Sequence, residues 1–141
     1  MNIGLLEDNP ATQEWMAIAL EFLGHKVYTH TTGASLLEVL FPVPETTLLP
    51  YDLVIADLNL PGGITGQEVV TRLRSNASTE RLPILIISGT GEHEIAHVKE
   101  QFPSIPILRK PFRLQALTQF IDQCAQTTLT EESIANRKAW I

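Results

Sequence analysis

Short apolar runs alternate with stretches of helical spacing along this chain, and that alternation leaves it few ways to fold. The runs are "IGLL" (3–6), "KVY" (26–28), "LVIA" (53–56), "PILII" (83–87) and "IPIL" (105–108). Between and after them, helical spacing is read over 10–24, 33–40, 67–74, 92–102 and 113–125. Pro10 suits a first helical position behind Asp8 or Asn9 as cap. In the third helix Val69, Val70 and Leu73 face inward, and in the last one Leu117, Phe120, Ile121 and Cys124 share a face. Strands that alternate with helices imply an α/β fold, a parallel sheet with helices on both faces. Strands buried on both sides explain why "LVIA" is continuous rather than alternating.

The 141 residues suit one compact domain, expected over 1–125, followed by a tail over 126–141 with a capping box at Thr128 and Glu131. The Pro-rich stretch 41–50 reads as a long loop. Hydrophobic residues at 44% and charged ones at 18% are ordinary for a globular chain. Cys124 is the single cysteine, which excludes an intramolecular disulfide and fits a reducing compartment. The acidic N-terminus is no signal peptide, and no apolar run approaches the roughly 18 residues of a membrane span. A formal net charge of −6 argues against direct nucleic-acid binding. The roughly 16 residues after the last helix are too few for a helix-turn-helix module. A cytoplasmic domain without membrane contact is the expectation.

In open parallel sheets, ligands bind beyond the carboxyl ends of the strands. After the first run come Glu7 and Asp8, after the third Asp57, after the fourth Ser88 and Gly89, and after the fifth Lys110 and Pro111. Each alone has a plain explanation as a helix cap, a turn residue or a surface lysine. Together they place three carboxylates, a hydroxyl and an ammonium on one sheet edge, a costly arrangement unless a cation resides among them.

Phosphoryl transfer to a carboxylate uses such a set. Asp57 is the candidate nucleophile, forming an acyl phosphate. Glu7 and Asp8 are candidate ligands for Mg²⁺, a hard cation that prefers oxygen, and the Asn59 backbone carbonyl is placed to complete the coordination. Lys110 would pair with a phosphoryl oxygen, Ser88 would donate to another, and Gly89 would leave the site open to a donor.

The segments "LLEDNP" (5–10), "DLVIADLNLPGG" (52–63), "LPILIISGT" (82–90) and "ILRKPF" (107–112) resemble the receiver domain of two-component response regulators. The resemblance covers about residues 2 to 125 in the family's order and spacing. It implies a five-stranded, flavodoxin-like sheet in the order 2-1-3-4-5 and a cis peptide between Lys110 and Pro111. It implies phosphate from a histidine kinase or phosphotransfer protein, and a downstream partner docking on the face of the fourth and fifth helices. Asp57 is then the phosphoacceptor, Asp8 a direct metal ligand and Glu7 one acting through water. The chain would be a phosphorylation-dependent signalling switch and not an enzyme, catalysing only its own phosphoryl transfer and dephosphorylation.

Departures from the family pattern are visible. Ile107 stands where an aromatic usually swings inward on phosphorylation, and a β-branched aliphatic has no ring to relocate. "LPGGITG" carries one residue more than the commonest loop after the nucleophile, and the 41–50 loop is longer than usual. Ile107 lends faint support to an alternative, a receiver-like scaffold that binds a partner without being phosphorylated.

A more distant alternative comes from "HEIAH" (93–97), which matches the HExxH pattern of zinc hydrolases. Ile95, Val98 and Phe102 define the apolar stripe of that helix, so His93 and His97 are expected on the opposite face, toward solvent rather than a cleft. Glu131 or Glu132 could supply a third ligand, but the spacing favours an adventitious surface site over a catalytic one. Trp15, Met16 and Cys124 are expected in packing, and His25 and His30 as ordinary strand-end residues. Trp140 and Ile141 could dock on the domain or meet a partner.

Overall fold

The computed structural model describes residues 1–41, 48–60 and 62–124. Strands β1 (Asn2–Leu6), β2 (Lys26–His30), β3 (Leu53–Asp57), β4 (Ile84–Ser88) and β5 (Ile107–Arg109) form a parallel sheet in the order β2-β1-β3-β4-β5. Helices α1 (Pro10–Phe22), α2 (Gly33–Leu40), α3 (Gly66–Ser75) and α4 (Glu92–Gln101) connect them, and a fifth helix runs over 114–124. The expected cis peptide joins Lys110 and Pro111. The chain divides into two compact units, Met1–Pro111 and Phe112–Ile141, and the whole sheet lies in the first. In the second, Leu117 and Ile121 are buried, whereas Cys124 is half-buried.

Local chemistry fixes the helix starts. The side chain of Asn9 accepts from Thr12 N–H, that of Thr32 from Ser35 N–H, and that of Thr65 from Glu68 N–H, each satisfying a donor that has no intrahelical partner. Right-handed crossovers then decide the layers. The chain steps one way from β1 to β2 and the other way through β3, β4 and β5, which puts α1 on one face and α2, α3 and α4 on the opposite one. The second face holds a continuous core in which Leu36, Leu40, Val69, Leu73 and Val98 meet Val54, Ala56, Ile84 and Ile86.

β3 and β4 are buried at every position, whereas β2 alternates toward exposure and β5 is short and partly exposed. Continuous burial therefore holds for the central strands and fails at the sheet edges. Met16 is fully buried as expected, but Trp15 is 45% exposed. With Ile18 and Phe22, also exposed, it forms an outward apolar stripe on α1, because positions three and four apart share a helix face. The segments 42–47 and 125–141 and Pro61 lie outside the described residues, and with them the last residue of the expected domain and final helix, the capping box, Trp140 and Ile141.

Candidate functional site

The strand order reverses between β1 and β3, and at their carboxyl ends the sequence supplies its acids. Glu7 follows β1 and is fully buried, and Asp57 closes β3 at 3% exposure. Gly66 lets α3 begin close against this point, since a Cβ there would collide with the Asp57 backbone carbonyl. Carboxylate oxygens of Glu7, Asp8 and Asp57 all lie within 4.8 Å of one another. Among the described residues, no other group of three His, Cys, Asp or Glu side chains converges in this way.

Lys110, delivered from the end of β5, spans two of these acids. Its Nζ donates to Glu7 Oε2 and to Asp57 Oδ2, each at 2.9 Å. Backbone amides hold the other oxygens, with Asn9 N–H donating to Glu7 Oε1 at 3.2 Å and Asn59 N–H to Asp57 Oδ1 at 3.0 Å. Gln13 Nε2 donates to the Glu7 carbonyl at 3.0 Å and ties α1 to the site. Burial pushes the Glu7 carboxyl above its ordinary range; the Lys110 hydrogen bond opposes this and the Asp57 charge adds to it. Burial alone would lower the Lys110 ammonium, but hydrogen bonds and charge from Asp57 and Glu7 outweigh it, and its pKa is raised. An ammonium held charged beside carboxylates in excess leaves net negative charge in a largely water-excluded edge. Oxygen donors of this kind, open on one side, fit a hard dication such as Mg²⁺.

The family model of the response regulator receiver domain matches residues 3–122. The chain belongs to that family. It is 33% identical over 95 residues to the chemotaxis protein CheV1 of Helicobacter pylori, covering 65% of this chain and 29% of that protein. It is 27% identical over 110 residues to the transcriptional regulatory protein FixJ of Azorhizobium caulinodans, covering 78% of this chain and 48% of that one. The chain thus spans less than half the length of these two curated relatives. In fold it is similar to a response regulator receiver domain protein from Clostridium thermocellum, with a TM-score of 0.76 at 21% identity over 92% of this chain and 97% of that chain. It is likewise similar to the chemotaxis protein CheY4 of Vibrio cholerae, with a TM-score of 0.73 at 21% identity over 87% and 97% of the two chains.

Ser88 ends β4 fully buried, and its hydroxyl is engaged locally: it shares a 2.6 Å hydrogen bond with Thr90 Oγ1 and accepts from Thr90 N–H at 3.1 Å. Thr90 was not singled out from the sequence, although a hydroxyl two residues after Ser88 is the pattern of a local side-chain turn. A Cβ on Gly89 would meet only Lys110 carbons, at 3.9 Å, so the fold itself tolerates a side chain there. Ile107 is partly buried against the core beneath α2, α3 and α4. Asn59 is exposed just past Asp57.

Two expectations about histidine need correction. His30 is buried, with Nδ1 2.7 Å from Ser35 Oγ and Nε2 2.7 Å from Tyr51 Oη, so it is no ordinary strand-end residue. His93 and His97 are exposed, yet both line one cavity of about 480 Å³ with Leu58, Asn59 and Gln67. Both are exposed, as the helical stripe predicts, but Val98 of that stripe lines the same cavity, and the neighbouring β3–α3 loop and α3 make a groove along this side of α4. Glu131 and Glu132 lie outside the described residues.

Proposed function

We propose that Asp57 accepts a phosphoryl group from a phosphohistidine on a histidine kinase or phosphotransfer protein, and that the acyl phosphate switches the binding of a downstream partner. The observation that carries this reading is the pair of 2.9 Å contacts by which Lys110 joins Glu7 and Asp57. An Asp57 oxygen attacks phosphorus, the P–N bond breaks, and the imidazole leaves with its electron pair. The carboxylate is already ionised and needs no general base. Lys110 exchanges its contact with Asp57 for one to a phosphoryl oxygen. Glu7, Asp8, Asp57 and the Asn59 carbonyl would hold Mg²⁺, which supplies charge neutralisation for the transferring phosphoryl oxygens.

Readout runs through Ser88. A phosphoryl oxygen beyond Asp57 competes with Thr90 for the Ser88 hydroxyl, and losing that bond frees the loop before α4. Ile107 offers no ring to swing, so the change concentrates in residues 89–95 and in a docking face that includes α4. The domain spans 1–125, works in the cytoplasm, and catalyses only its own phosphoryl transfer and loss. The names of its relatives, a chemotaxis protein and a transcriptional regulatory protein, mark the kind of pathway such a switch serves. No helix among the described residues is long and apolar enough to cross a membrane.

The test is intact-mass spectrometry after incubation with a small acyl-phosphate donor and Mg²⁺. One phosphoryl group is expected, labile to hydroxylamine, absent in Asp57→Ala and absent with a chelator. Equal labelling of Asp57→Ala would move the nucleophile elsewhere. A chain never labelled, yet still binding its partner, would be the unphosphorylated scaffold instead.

A further inference from the structure

We infer that His93 and His97 form a second metal site, for a transition-metal dication of the Zn²⁺ class, in the cavity beside α4. Residues one helical turn apart carry Cβ atoms roughly 5–6 Å apart, close enough for two imidazoles to chelate one ion. Both side chains line the same cavity of about 480 Å³, and neither hydrogen-bonds to another described residue, so their nitrogens are available. Glu94 lines the same cavity. With Glu92 it also places negative charge in the first turn of α4, offsetting the helix-end partial charge that would repel a cation. Across the groove, Gln67 of α3 donates to Gln101 of α4 at 3.3 Å, and Gln101 donates to Thr71 at 3.5 Å.

Ligand chemistry separates this site from the carboxylate edge. Neutral imidazole suits Zn²⁺, Ni²⁺ and Cu²⁺, whereas carboxylate and carbonyl oxygens suit Mg²⁺. It also separates it from a hydrolase centre. The described residues bring no third His, Cys, Asp or Glu atom into convergence with the pair, so water fills the remaining positions and the ion is held rather than put to work on a peptide. Asn59 lines this cavity and donates its N–H to Asp57, so the two metal positions lie on either side of one short loop.

The experiment is calorimetric titration of the full chain with Zn²⁺ in a large excess of Mg²⁺, for the wild type, His93→Ala, His97→Ala and Asp57→Asn. One Zn²⁺ per chain is expected in the wild type, weakened on the order of tenfold or more by either histidine substitution and unchanged in Asp57→Asn. Both imidazoles are exposed, and a melting curve for each variant verifies its fold. Zn²⁺ should also perturb the backbone amide resonances of residues 92–98 in the wild type. No binding in the wild type, equal binding in both histidine variants, or loss of binding in Asp57→Asn alone would each overturn the assignment.

Discussion

Two buried polar clusters occupy the carboxyl ends of neighbouring strands, joined by a 3.0 Å hydrogen bond from Glu7 N–H to the His30 carbonyl. In one, His30 meets Ser35 and Tyr51 at 2.7 Å on either ring nitrogen, and the Tyr51 ring packs edge-on at 5.8 Å. All its members are uncharged at neutral pH and each ring nitrogen has a partner. In the other, Lys110 serves two of three converging acids, so hydrogen bonds are made but charge is left over. A neutral network that closes on itself fixes geometry; one that closes its hydrogen bonds but not its charge is prepared for a ligand.

Removing Lys110 should separate the clusters most sharply. Lys110→Ala leaves Glu7 and Asp57 buried and facing each other without their ammonium, at a cost on the order of 2–4 kcal/mol, somewhat below that of a fully buried pair because the lysine is partly exposed. Mg²⁺ should restore part of that loss, since it binds only the folded cluster. Melting curves with EDTA and with Mg²⁺ read both effects. If Lys110→Ala melts like the wild type under both conditions, the lysine is not the counter-charge of these acids.

The same measurement on Tyr51→Phe gives the contrast. Losing the hydroxyl leaves a buried imidazole nitrogen unpaired, at about 1–2 kcal/mol, and Mg²⁺ should recover none of it. Recovery by Mg²⁺ would mean that the two clusters act as one.

Proton linkage gives them opposite signs. The Glu7 carboxyl is raised, chiefly by burial, so its contribution is fully present below the unfolded value of about 4.3 and is lost as pH rises through the higher folded value. His30 is lowered by burial, so its contribution is fully present above about 6.5 and is lost as pH falls through the lower folded value. Between the two unfolded values, about 4.3 and 6.5, the slopes oppose each other. In metal-free buffer, Glu7→Gln should make stability rise more steeply with pH, and His30→Gln should flatten or reverse the rise. The same slope in both variants would refute this.

The difference between the clusters also explains what the sequence disclosed. Acids and a lysine placed after apolar runs stand out because charge at a sheet edge is costly, and Asp57, Glu7, Asp8 and Lys110 were all legible that way. The parallel sheet and the first four helices were legible too, because burial on both faces leaves the continuous runs of β3 and β4, whereas the strand order came only with the receiver-domain resemblance. His30 was not, since its partners Ser35 and Tyr51 come from other elements and a neutral network leaves no charge pattern. Trp15 was misplaced because α1 is apolar over much of its surface, so periodicity could not say which face turns outward. The groove at His93 and His97 was hidden for a related reason: helical phase fixes one helix's faces, not what lies across from them.

The smallest effect is the most discriminating. Asp57→Asn removes one charge from a crowded edge, which by itself should stabilise the metal-free fold. The Asp57 carboxylate, however, accepts from Asn59 N–H at one oxygen and from Lys110 Nζ at the other. An amide has one acceptor and one donor end, so either orientation sets its NH₂ against a donor. Relief of repulsion from Glu7 and Asp8 is thus offset by a mismatched hydrogen bond and a weakened hold on Lys110. The net change without metal should stay within about 1 kcal/mol of zero, each opposing contribution being about that size. Mg²⁺ should then stabilise the wild type more than the variant, because the variant has lost an anionic ligand. Melting curves for both proteins in EDTA and in Mg²⁺ decide it. A loss of several kcal/mol in EDTA would show that Asp57 holds the fold as His30 does, through closed hydrogen bonds, and not as an acceptor waiting at an open edge.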